Sequence, residues 1–294
     1  MADVKRFTME AVGPFKTIEL SRSGAVAVLT LNRPEVLNAL NWEIVGEITR
    51  AVAAVRDDET VKALVVTGSG RGFCAGADLA AKPRPKGAPI PGGRPATTGA
   101  ASAAGMRAEW NPMMAGLTRL QKPVVSAVNG VAAGGGVGMA LAADVVLAAR
   151  SARFVLTFVP KLGVVPDLGV TWMLPRLVGR GKALPMIALG DACSAEEAER
   201  IGLIWRVVDD GALHAEALKT AERLASLPQT LALVKARDLI DAAPGRTYEA
   251  QLEAEAEGQH VLFDQPGASF AKGSSRFQEA QRRREAAAQP ASKL

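Results

Sequence analysis

Two cysteines, Cys74 and Cys193, are all the thiol that the 294-residue chain contains. Two thiols make neither a disulfide framework nor a metal-ligand cluster. Free cysteine ordinarily behaves as a small buried hydrophobe, so both are expected as reduced thiols and no metal is expected. Histidine is equally scarce. His214 and His260 stand on helix-patterned stretches far from any motif, which leaves them surface or packing roles. No apolar run approaches the ~18 residues of a membrane helix, and the opening MADVKRFTMEAVG lacks the apolar core of a secretory signal. A cytoplasmic protein with no membrane partner is the expectation. Phosphate-binding signatures are missing too. No glycine is followed by Lys and then Ser or Thr as a P-loop demands, and the glycines of 134–138 miss the G-x-G-x-x-G frame of a dinucleotide fingerprint.

Charge is present but unevenly placed. Of a net +5, residues 82–107 hold Lys82, Arg84, Lys86, Arg94 and Arg107 with no acid, and residues 270–294 hold six bases against two acids. Binding single-stranded nucleic acid would want aromatic side chains among those bases, and the first segment has none before Trp110. Solvated segments are therefore expected, not nucleic-acid contacts. Five prolines and five glycines crowd residues 82–105, a composition that predicts no helix and no central strand. Residues 82–107 are read as a mobile insertion and 278–294 as a flexible basic tail.

Elsewhere the pattern is regular. Strands are predicted near 24–32, 61–68, 123–128, 145–149, 153–157 and 203–210. A helix over 41–58 places Val45, Ile48, Val52 and Val55 on one face, with Asn41 as its N-cap. Ser194 and Glu197 form a capping-box pattern before the next helix. Further helices are expected around 106–120, 213–227, 230–243 and 248–263. Strands alternating with helices and then helices alone indicate an α/β core over 1–210 and a helical C-terminal subdomain over 211–277.

The stretch AVNGVAAGGGVGMAL (127–141) runs from a strand-like segment through three glycines into a helix-like one. So little side chain suits a tight turn, close helix packing, or bare backbone N–H groups aimed at a ligand. A second junction of this kind, CAGADL (74–79), also follows a buried strand. Together the two could bind an oxygen that gains negative charge. Asp167 lies in an apolar loop within KLGVVPDLGVTWMLPRLVG (161–179). It reads as a turn former, a helix cap, or, if desolvated, a proton-carrying base. Trp172 and Met139 read as core or pocket wall.

LNRPEVLNAL (31–40), GFCAGADL (72–79), AVNGVAAGGGVGMALAADVVLAARSARF (127–154), LGVVPDLGVTWMLPRLVG (162–179) and SAEEAERIGLIWRVV (194–208) together resemble the crotonase, or enoyl-CoA hydratase/isomerase, family across residues 20–277. The resemblance implies a spiral of repeated ββα units, a C-terminal subdomain that builds trimers often paired into hexamers, and acyl-CoA thioester substrates. Coenzyme A would be part of the substrate, with no permanently bound cofactor. It implies an oxyanion hole from the N–H groups of Ala77 and Gly135. It also implies CoA contacts at Arg33, Leu37, Ala75, Asp78 and Leu79, and at Lys272 and Phe277 in SFAKGSSRF.

Hydratases of the family carry two glutamates, at positions matching Gly138 and the vicinity of Phe158 or Val159, where this chain has no carboxylate. The latter segment is one residue longer here than in its relatives. Asp167 instead matches a third position, acidic in dienoyl-CoA isomerases, in a chlorobenzoyl-CoA dehalogenase and in phenylacetate-pathway isomerases. KLGVVPDLGVTW most resembles the last group. An isomerase-type enzyme with Asp167 as acid/base is the expectation. The alternatives are a hydratase with an unexpected acid, or a non-catalytic protein that binds acyl-CoA or RNA.

Overall fold

A computed structural model describes residues 5–6, 14–81, 97–265 and 279. Strands β1 (Lys5–Arg6), β2 (Ile18–Ser23) and β3 (Val26–Leu31) lead into helix α1 (Trp42–Asp57) and then β4 (Ala63–Gly68) and β5 (Gly72–Cys74). Helices α2 (Thr98–Gly105) and α3 (Asn111–Thr118) flank a π turn, Met106–Trp110. Next come β6 (Val124–Val128), β7 (Val131–Ala133) and α4 (Gly135–Leu141), then β8 (Val145–Ala149), β9 (Arg153–Val155) and α5 (Val170–Leu189). The chain continues through β10 (Cys193–Ser194), α6 (Ala195–Arg200), β11 (Arg206–Val208), α7 (Leu213–Ala225), α8 (Thr230–Ala242) and α9 (Tyr248–Phe263).

The larger sheet has the order β1-β2-β3-β4-β6-β8-β11 and the smaller β10-β9-β7-β5. The pairs β4/β5, β6/β7 and β8/β9 each send their first strand to the larger sheet and their second to the smaller. A helix follows, and the next pair is added one step along both sheets. This is the spiral of ββα units that the resemblance implies. From β3 through β4, β6 and β8 to β11 every adjacent pair is parallel, whereas β2 and β3 are antiparallel. Parallel strands between covering layers are buried on both faces, which is why Ala63, Leu64, Val65 and Val66 are apolar in succession with no alternation.

Local signals hold where the physics is local. The Asn41 side chain accepts a hydrogen bond from the Ile44 N–H at 3.0 Å, capping α1. Val45, Ile48, Val52 and Val55 are buried, each contributing about 1.5–3 kcal/mol of apolar burial. Ser194 caps α6 through the Glu197 N–H at 3.1 Å. The capping box is only half formed, because the Glu197 carboxylate is taken by the Arg200 guanidinium at 2.6 Å on both oxygens. Both cysteines are free and buried. Burial pushes the Cys74 thiol up to about 12, so it stays protonated and unreactive at neutral pH.

Two expectations are corrected. Residues 98–105, expected to hold no helix, form α2. Every proline of the 82–105 segment precedes Thr97, and Thr97 accepts from the Ala100 N–H at 3.1 Å, so an alanine-rich turn starts as soon as the prolines end. The rest of the insertion, 82–96, and the basic tail other than residue 279 lie outside the described residues. The boundary at 210/211 also moves. The chain divides into compact units at Ser226/Leu227. Helix α7 belongs with the sheets because Leu213, Ala217 and Ala221 are buried in the core. Within the second unit, Gln251 Nε2 of α9 donates to the Leu239 carbonyl of α8 at 3.4 Å. No described helix is long and apolar enough to cross a membrane.

Candidate active site

A strap over residues 33–40 begins the site. It makes a 3-10 turn, Pro34–Val36, and then two left-handed residues, Leu37 (φ 53°) and Asn38 (φ 57°). Asparagine tolerates this region because its side chain can bond locally. Here the fully buried Asn38 amide accepts from the Arg33 N–H at 2.9 Å and donates to the carbonyls of Ser69 (2.9 Å) and Gly72 (2.8 Å). The strap then pairs with the loop after β5. Ala75 N donates to Leu37 O (2.9 Å), Leu40 N to Gly76 O (2.7 Å) and Asp78 N to Leu40 O (2.8 Å).

This parallel bridge between Leu40 and Ala77 decides one direction. Backbone groups alternate sides along an extended chain. With Gly76 O and Asp78 N turned to the strap, the Ala77 N–H faces away from it, toward a cavity that Ala77 lines. Gly76 (φ 87°) makes the approach possible. A methyl there would lie 2.7 Å from the Ala133 carbonyl oxygen and 3.3 Å from the Gly135 nitrogen.

The three glycines have separate tasks. Gly134 turns the chain at φ 51°, ψ −123°, a region essentially reserved for glycine. Gly135 opens α4, so its N–H has no carbonyl one turn back to bond. A methyl on Gly136 would lie 2.1 Å from the Cys74 carbonyl oxygen, so this glycine lets α4 pack on β5. A tight turn, an N–H without an intrahelical partner and close packing thus fall on three adjacent residues, Gly134, Gly135 and Gly136. Neither the Ala77 nor the Gly135 N–H donates to another group among the described residues.

Asp167 arrives from the loop before α5. Its Oδ1 lies 3.8 Å from where a methyl on Gly135 would stand, which sets the carboxylate beside the second N–H. It is half-buried, and no other described residue pairs with its carboxylate. Burial pushes its pKa up from the ordinary aspartate value, against a hydrogen bond from its own backbone N–H.

Ala75, Ala77, Leu79, Gly135 and Asp167 all line one cavity of about 250 Å³. Leu79 is 76% exposed, an apolar side chain left at the mouth. Arg33, Leu37 and Asp78 do not line it. Arg33 and Asp78 face each other at 2.9 Å, with side chains only 16% and 10% exposed, and Arg33 also donates to the Ala39 carbonyl at 2.5 Å. Their charges tie strap to loop. Breaking one partner, as in Asp78→Ala, is expected to lower stability by roughly 3 kcal/mol, measured by urea unfolding. Lys272 and Phe277 lie outside the described residues.

Sequence reasoning missed five lining residues: Trp110, Thr157, Lys161, Leu162 and Leu168. Phe158, considered only as a place for an acid, is wall. Trp110 meets Trp42 edge-on at 5.6 Å. Phe158–Leu162 forms a π turn, a wide turn that can hold an extra residue without lengthening the segment. Trp172 stacks on Arg176 (3.9 Å), Met139 is core, and His260 sits exposed between Glu257 and Asp264.

The Enoyl-CoA hydratase/isomerase family pattern matches residues 21–285. The chain belongs to this family. Crotonase-fold relatives surround it. It is 42% identical over 254 residues to 1,2-epoxyphenylacetyl-CoA isomerase of Escherichia coli (strain K12), covering 86% of this chain and 91% of the relative. It is 38% identical to the "Probable enoyl-CoA hydratase" of Rhodobacter capsulatus, covering 90% and 96%. The solved structure of an enoyl-CoA hydratase subunit from Geobacillus kaustophilus HTA426 superimposes with a TM-score of 0.75 at 34% identity, covering 90% and 96%. Names of both kinds, isomerase and hydratase, thus surround this crotonase-family chain.

Proposed function

We propose that this crotonase-family protein shifts a double bond of an enoyl-CoA, or isomerises a ring acyl-CoA, with Asp167 as the proton carrier. The Asp167 carboxylate takes a proton from the acyl carbon next to the thioester or from its vinylogous γ-carbon. The electron pair left behind moves onto the thioester oxygen, and the N–H groups of Ala77 and Gly135 hold that enolate. The proton then returns to the other carbon. No atom is gained or lost, so a single carboxylate suffices. Hydration must also activate and split a water, for which family hydratases use two acids.

The observation that carries this reading is that Asp167 is the one carboxylate lining the cavity among the described residues. A second supports it. At Gly138, where the resemblance places a hydratase glutamate, a methyl would lie 2.6 Å from the Leu168 carbonyl oxygen and 3.0 Å from its Cβ. An acid at 138 and the present course of the Asp167 loop exclude each other. Gly138→Glu is therefore expected to create no hydratase activity and to lower isomerisation by displacing that loop. Efficient hydration of crotonyl-CoA by this variant would count against the assignment.

Coenzyme A enters as part of the substrate. Ala75 and Leu79 contact it at the mouth, and Arg33, Leu37 and Asp78 shape the loop from behind, while for Lys272 and Phe277, outside the described residues, the family resemblance suggests a contact with the CoA of a neighbouring subunit. A homotrimer or hexamer built through the C-terminal helices fits the exposed Ile240, Tyr248, Leu252 and Phe263. The name of the Escherichia coli relative adds ring-bearing acyl groups to linear ones as candidates. The test is a panel of linear 3-enoyl-, 2-enoyl-, cyclic and aromatic acyl-CoAs followed by ultraviolet absorbance and mass. Isomers of unchanged mass are expected. Hydrated product as the main outcome, or tight binding without turnover of any member, would refute the reading.

A further inference from the structure

We propose that Leu168 is a positioning residue. Wedged between Gly135 and Gly138, it sets where the Asp167 carboxylate stands over the cavity. The inference rests on the reading of Asp167 as proton carrier and extends it. Gly135 and Gly138 are three residues apart on α4 and share a face. Leu168 is 4% exposed and fills that face twice over. Its Cδ1 lies 2.7 Å from where a methyl on Gly135 would stand, and its carbonyl oxygen 2.6 Å from one on Gly138. Side chain and backbone are thus both pinned.

Leu168 is also left-handed, at φ 48°, a region that glycine enters without penalty and leucine does not. Asp167 is its immediate neighbour. The carboxylate has no partner on any other described residue, and the Asp167 carbonyl only accepts the Val170 N–H at 3.0 Å. Apart from the hydrogen bond from its own backbone N–H, the acid is held in place by the path of the chain, with Leu168 its pinned neighbour. The other charged group on the cavity wall among the described residues is Lys161, whose ammonium makes no ion pair there. Strain kept beside a reacting group, where a simpler residue would relieve it, marks a position under geometric demand.

The test uses the full chain carrying Gly138→Ala or Leu168→Gly, with Asp167→Asn alongside and 3-hexenoyl-CoA as the probe. Each positioning variant is expected to lower kcat about 10–100-fold with KM little changed, because a displacement near 1 Å disturbs the reacting geometry more than binding. In ¹³C-aspartate-labelled protein, with Asp167→Asn supplying the assignment, the Asp167 titration should move down toward the ordinary aspartate value as the group turns to water. An unchanged titration overturns the proposal, whether or not kcat falls, since a merely structural defect would leave that resonance alone. Should Gly138→Ala fail to fold, Leu168→Gly adds no methyl and decides the matter. Full activity in Asp167→Asn would sink the proton-carrier reading instead, and the titration would still decide the positioning.

Discussion

Asp167→Asn is expected to keep the fold and thioester binding and to lose most isomerisation. The substitution preserves shape and deletes the base. General acid–base catalysis is worth about 10²–10⁴-fold, so a variant that keeps more than roughly a third of wild-type kcat would remove Asp167 from the mechanism. Two accompanying signs follow from the burial of this carboxyl. The base must be ionised, so kcat of the wild type should fall as pH drops through the Asp167 pKa. Desolvation places that limb above the ~3.9 of an exposed aspartate. A carboxyl whose folded-state pKa is raised loses stability as pH climbs from its unfolded value through its folded one. At neutral pH the wild type therefore carries a half-buried charge that the neutral amide of the Asp167→Asn variant does not. The variant should melt at the same temperature or higher by scanning calorimetry.

Removing an oxyanion donor is expected to have a comparable effect. The thioester oxygen becomes an enolate oxygen as the proton leaves, and loss of one preorganised donor costs about 10²–10³ in rate. A backbone N–H is deleted by proline, which has none. Ala77→Pro leaves the strap's own hydrogen bonds intact, because those use Gly76 O and Asp78 N. Proline also restrains the residue before it, and Gly76 stands at φ 87°. The circular dichroism spectrum and assembly mass must therefore match wild type before the rate is read. Gly135→Ala is gentler. Its methyl meets the end of the Leu168 side chain at 2.7 Å and stands 3.8 Å from Asp167 Oδ1, crowding the space between donor and base. It should raise KM as well as lower kcat. In a crystal with a bound acyl-CoA, the thioester oxygen should lie about 2.7–3.2 Å from both nitrogens. An oxygen pointing elsewhere, with Asp167 far from the acyl carbons, would end the proposed mechanism.

Roles that turn on tertiary contacts were harder to read from sequence than the elements themselves. The resemblance put Arg33 and Asp78 near coenzyme A, and by residue type each is an exposed charge free to meet a ligand. Folded, they neutralise each other behind the loop. Trp110 drew notice only as the first aromatic after a basic stretch, yet it forms cavity wall. Phe158 carries a sequence signal only through the carboxylate it lacks, and Thr157 carries none, yet both line the cavity. No periodicity marks such residues, since a wall is assembled from segments that meet only after the strands pair.

By itself the sequence determined the alternation of strands and helices, the caps at Asn41 and Ser194, the buried run of 63–68 and the family to which the chain belongs. These are set within a turn or two of backbone, by hydrogen bonds and burial patterns that each segment carries with it. The tertiary structure alone decided that α7 joins the sheets, that the Ala77 N–H faces the cavity, and that Leu168 sits on Gly135 and Gly138 with Asp167 beside it. Those outcomes depend on the register between the strap and the β5 loop and on how closely one backbone approaches another. Glycine permits such an approach anywhere along a chain, but only the packed fold selects which glycine uses it.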